Sequence, residues 1–123
     1  MIIRTVEYDG RKIALADGEG EIIISDAQSA LDFIAGVRYE TGANCVALDK
    51  AAVCGDFFAL STGLAGEVLQ KFVNYRIKLA IYGDFSKYTS VPLRDFIRES
   101  NRGRDIFFAS DEKNAIARLA DAK

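Results

Sequence analysis

The 123-residue chain contains no histidine, no tryptophan, one proline and two cysteines. Each scarcity excludes something. Without an imidazole there can be no Ser/His/Asp or Cys/His nucleophile arrangement, no His-bearing zinc site and no histidine general base. Cys45 and Cys54 are too few for a disulfide framework and are not spaced as a CxxC pair, so they read as reduced thiols acting as small apolar residues. No apolar run approaches the roughly 20 residues needed to cross a bilayer, and the N-terminus lacks the charged-then-apolar pattern of a signal peptide. The expectation is a cytoplasmic protein with no membrane partner.

Sixteen Lys and Arg stand against eighteen Asp and Glu, a net charge of −2 with a pI of about 5.1. Such a balance gives no general attraction to phosphate backbones, so no nucleic-acid partner is expected. Segregation along the chain is mild: the stretch from Asp84 to Asp105 holds five bases and four acids. The length fits one domain, able to close a core without disulfides or metal.

Local patterns then order the elements. Ile2–Tyr8 and Arg11–Ala16 alternate loosely about Asp9-Gly10, a strong hairpin signal. Ser25 with Gln28 has capping-box spacing, and Leu31, Ile34 and Val37 keep helical spacing to Gly42, placed as a terminator. Cys45–Leu48 reads as a buried strand ending at Asp49-Lys50. A second helix begins near Ser61/Thr62, Lys78–Tyr82 is the next strand, and a third helix, Val91–Arg102, is entered through Ser90 and Pro92 and ended at Gly103. Ile106–Phe108 is the last strand, and Ser110 caps a final short helix. This alternation predicts a single α/β domain over residues 1–123, with a mixed, mostly parallel sheet of about five strands, an N-terminal hairpin and four helices.

In an open α/β sheet the ligand crevice lies beyond the carboxyl ends of the strands, beside helix N-termini. Two segments should converge there: Asp49-Lys50 through Asp56 to Ser61-Thr62-Gly63, and Gly83-Asp84-Phe85-Ser86-Lys87 through Ser90. Their hydroxyls and carboxylates serve equally well as helix caps. Asp49, Asp56 and Asp84 offer hard oxygen ligands of the kind Mg²⁺ takes, and Lys50 beside Cys54 would lower a thiol pKa. Arg102 and Arg104 flank Gly103 as a candidate grip for a carboxylate, a phosphate or an acidic partner. Tyr75, Tyr82, Phe85 and Tyr88 lie on or beside the fourth strand and read as core or rim aromatics.

Leu60-Ser61-Thr62-Gly63-Leu64 resembles the Asp-Ser-Ser-Gly-Leu loop of STAS domains, the sulfate-transporter and anti-sigma-factor-antagonist family, and the element order matches that fold over essentially the whole chain. Val37–Gly42, Asp56–Glu67, Gly83–Ser86 and Leu93–Gly103 also resemble a family of small bacterial proteins of unknown function. The STAS resemblance implies a non-enzymatic switch, in which a Ser or Thr at the start of the second helix is phosphorylated by a partner kinase and docking of a regulatory protein changes. Ser61 would be the acceptor, Thr62 and Gly63 its neighbours, and Asp49 the acid ending the third strand; Leu60 stands where the switching members carry an acid.

The leading reading is therefore a STAS-like binding or regulatory module with a protein partner and no cofactor or metal. It docks through Ser61–Gly66 and the Asp84–Ser90 loop, with Asp56, Asp84, Ser86, Lys87, Arg102 and Arg104 as binding-loop candidates. The alternative is a small enzyme or a ligand- or metal-binding protein built on the three aspartates. A third reading is a structural protein whose aromatic strand supplies a homodimer interface.

Overall fold

The computed structural model describes residues 1–123. Two strands, β1 (Ile2–Tyr8) and β2 (Arg11–Asp17), form the expected antiparallel hairpin. Asp9 and Gly10 both have positive φ, 53° and 80°, the conformation of a tight turn whose twist matches that of the flanking strands. Three units follow in which a helix joins one parallel strand to the next: α1 (Ala27–Thr41) to β3 (Cys45–Asp49), α2 (Leu64–Asn74) to β4 (Lys78–Tyr82), and α3 (Val91–Arg102) to β5 (Ile106–Ala109). Helix α4 (Glu112–Asp121) closes the chain. The strands lie in chain order, β1 to β5, and β2 to β5 are parallel. The domain is thus a five-stranded mixed α/β fold with four helices.

Both faces of the sheet are covered, which is why β3 and β5 read as continuous apolar runs. One face carries α1, α2 and α3 over a core that includes Val46, Leu48, Leu79, Ile81, Phe33 and Phe72. The other carries α4 alone, over Ile13, Leu15, Cys45, Ala47, Ala80, Phe107 and Ala109. Small residues at Ala47, Ala80 and Ala109 keep that face shallow enough for one helix, anchored by Ala115 and Leu119, to cover it. No polar side chain is buried.

Three helix starts differ from the sequence pattern. The capping box of α1 is Asp26 with Ser29: Asp26 accepts from the Ser29 amide at 2.7 Å, and the Ser29 hydroxyl accepts from the Asp26 amide. Ser25 and Gln28 do not form it because Ile24 is held by a bridge to Val53, which leaves the chain to turn one residue later. Asp111, whose side chain accepts from the Asn114 amide, caps α4 in place of Ser110. Helix α2 begins at Leu64, since Ser61 and Thr62 belong to a separate 3₁₀ turn. No helix is long and apolar enough to cross a membrane.

Candidate functional site

The two segments expected to converge beyond the carboxyl ends of the strands do meet, through Lys50 and four rings. From β3 the chain runs through three 3₁₀ turns, Lys50–Ala52, Gly55–Phe58 and Leu60–Thr62, before α2. Lys50 crosses to the loop after β4, donating to the Asp84 carbonyl at 2.7 Å with its ammonium 4.8 Å from the Tyr88 ring centroid and 5.7 Å from that of Phe85. Such ring faces attract a cation electrostatically. Phe58 stacks on Tyr88 at 5.1 Å and Phe85 meets Phe108 edge-on at 5.6 Å. Gly83 makes the crossing sterically possible: its φ is 154°, and a Cβ there would lie 2.6 Å from Lys50 Cγ.

At the end of this loop Ser61 and Thr62 differ sharply. The Thr62 hydroxyl reaches the carbonyls of Asp56 (2.9 Å) and Ala59 (2.8 Å) and accepts from the Leu64 amide, tying the 3₁₀ turn to the helix start. Ser61 is exposed, and its hydroxyl takes no intrachain partner. Gly63 follows at φ 76°, a left-handed position that suits glycine. Thr62 is therefore the structural tie between the turn and the helix, while Ser61 stands open to solvent just before α2.

The aspartates serve their own turns. Asp49 accepts from the Ala51 amide and Asp84 from the Ser86 amide, at 2.8 and 2.9 Å. The Ser86 side chain first and its amide second, assisted by Lys50 and Lys87, hold the Asp84 carboxyl below its usual pKa. Asp56 contributes its carbonyl to Thr62 and stands exposed. Asp49, Asp56 and Asp84 do not assemble: no group of three carboxylates or thiols is placed to share a metal ion. Cavities of about 910, 610 and 410 Å³ are present, and none is lined by these aspartates or by Ser61. Cys54 Sγ faces the Ser25 carbonyl, while the Lys50 ammonium is held at the Asp84 carbonyl.

The remaining candidates lie elsewhere. Ser86 and Lys87 are exposed on the Asp84 loop, beside the Lys50 crossing. Arg102 pairs with Glu99 at 3.2 Å and lines a groove at the other end of the sheet together with Arg104. The four aromatics do not form one patch: Phe85 and Tyr88 pack on the larger core, Tyr82 on the smaller, and Tyr75 is exposed after α2. As β4 lies inside the sheet, this aromatic strand offers no free edge to a second copy. Sequence reasoning missed Phe58 as the ring that joins the two loops; its signal was Phe57-Phe58 standing in a segment of no regular period.

A protein-family model described as a domain of unknown function (DUF4180) matches residues 8–119, nearly the whole domain. No curated protein and no solved structure matches the chain.

Proposed function

Since the chain belongs to the DUF4180 family, whose description carries no activity, we propose from its own geometry that it is a non-enzymatic binding module. It docks a protein partner through the start of α2 and the Asp84–Ser90 loop, and phosphorylation of Ser61 controls the docking. The observation that carries this reading is the contrast between the two hydroxyls, Thr62 fully engaged and Ser61 exposed and unpartnered, away from the three larger cavities. A docking surface needs accessible side chains on a rigid base, whereas an enzyme needs a concave site with converging groups. Here the Lys50 crossing and the rings beneath it supply the rigid base.

A phosphate on Ser61 would sit three residues before α2, where the dipole and the free N–H groups of the first turn favour negative charge. The same group would add roughly two negative charges to the docking surface, changing the charge a partner meets. The resemblance of Leu60–Leu64 to the STAS loop supports the reading.

The test compares native protein, Ser61→Ala and Ser61→Asp as baits in extract of the source cells, with mass analysis of the native protein recovered from them. The expected outcome is a phosphoryl group on Ser61 and a partner retained by Ser61→Ala but lost from Ser61→Asp. Identical partner sets, or phosphorylation confined to other residues, would reject the switch.

A further inference from the structure

Folding segregates charge that is mixed along the chain. At the amino ends of the parallel strands, opposite the Ser61 loop, a groove of about 910 Å³ is lined by Arg11, Lys12, Arg76, Lys78 and Arg104, with Asp9 and Asp105 as its acids. A second groove of about 610 Å³ continues it through Arg104 and adds Arg102, Arg118 and Asp121. With Lys123, which lines both grooves, eight bases face three acids there, so the rest of the molecule carries eight bases against fifteen acids. A molecule of net charge −2 thus has one strongly positive end.

Three of these cations, Arg11, Lys12 and Arg118, are held by backbone carbonyls without being neutralised. Arg11 donates to the carbonyls of Leu119 and Ala122, both at 2.7 Å, and Lys12 to that of Thr41 at 3.0 Å. Only Lys78 meets a carboxylate in the first groove, Asp105 at 3.3 Å. Arg76 and Arg104 are exposed and their guanidinium groups take no intrachain partner. Arg76 is also in an unfavourable conformation for its type. It ends α2 at φ 56°, with the Ile77 amide bonded back to the Phe72 carbonyl, the position where such helix ends place glycine. An unpaired arginine at a position that favours glycine, lining a basic groove, points to a ligand.

We propose that this groove binds a small polyanion carrying two or more phosphate groups. Guanidinium forks pair with phosphate oxygens in a bidentate manner, and the volume is that of a small-molecule site. Two observations favour a compact ligand over a nucleic-acid strand. The first groove contains no aromatic ring on which a base could stack, and the acidic remainder of the surface repels any backbone that runs past its rim. The site is independent of the Ser61 surface at the other end of the sheet.

Inorganic tripolyphosphate is the probe, titrated calorimetrically into the native protein at two salt concentrations. The expected result is saturable binding that weakens with salt, is reduced at least about tenfold, or 1.4 kcal/mol, in Arg76→Gln/Arg104→Gln, and is unchanged in Arg94→Gln/Arg98→Gln, which removes the same charge from α3. Arg76→Gly separates binding from folding: it is expected to melt no lower than the native protein while binding the probe more weakly. Amide shifts on titration should centre on residues 10–12, 42–45 and 76–78. No binding, equal loss in the α3 control, or shifts centred on α2's start would overturn the site. An oligonucleotide of equal phosphate count that binds more tightly than tripolyphosphate would overturn the small-ligand assignment.

Discussion

At the residue scale the chain repeatedly uses one side chain to satisfy backbone, leaving a chemically similar neighbour free. Thr62 and Ser61 are one such pair, and no composition or spacing argument separates two adjacent hydroxyls; only the positions of the Asp56 and Ala59 carbonyls do. Tyr82 shows the same dependence on surroundings. It sits half-buried at the end of β4 with its hydroxyl 3.3 Å from Glu112, and burial followed by that carboxylate pushes its pKa from 10 up to about 12. The folded state therefore holds the proton that the unfolded chain releases near pH 10. Stability from this group is fully present below pH 10 and falls as pH rises through about 12. Titrating tyrosinate absorbance should show an ionisation near pH 12 that Tyr82→Phe lacks, and between pH 10 and 12 the variant should lose less stability than the native protein in urea melts.

At the element scale helix ends were the least legible feature and strand interiors the most. Ser90, Pro92 and Gly103 bound α3 where the sequence places them; Ser90 and Pro92 act through their own side chains, while Gly103 ends the helix in ordinary extended backbone at φ −80°. The starts of α1, α2 and α4 moved by one to three residues, since several adjacent Ser, Thr and Asp compete for each cap and tertiary anchors such as the Ile24 to Val53 bridge choose between them. Asn101, near the end of α3, does something no local pattern announces. Its amide nitrogen donates to the Phe108 carbonyl at 3.1 Å and its oxygen accepts from the Phe108 amide at 2.8 Å. One side chain so occupies the open edge of the four-residue β5 and blunts it against pairing with another chain. Asn101→Ala leaves two polar groups of a buried residue unpaired, at a cost of about 1–3 kcal/mol. Urea denaturation should show that loss, with aggregation at lower protein concentration than for the native chain.

At the scale of the whole molecule the sheet separates two unequal cores and two unlike ends. The smaller core depends on α4, whose Leu119 is fully buried. Leu119→Ala is expected to cost about 2–5 kcal/mol, a large share of the 5–15 kcal/mol typical of a domain, and a guanidinium melt would read it. The element order, the hairpin and the parallel sheet were legible in the sequence because hydrophobic period and turn residues act over a few positions. The missing histidines likewise ruled out whole classes of chemistry without a structure. What only the tertiary structure decided is which groups meet. It dispersed Asp49, Asp56 and Asp84, drew Lys50 across to Asp84 and Tyr88, and gathered bases as far apart in sequence as Arg11 and Arg118 at one end of the sheet. Charge and distance are properties of space, and a chain that pairs strands in order brings residues a hundred positions apart within reach of one ligand.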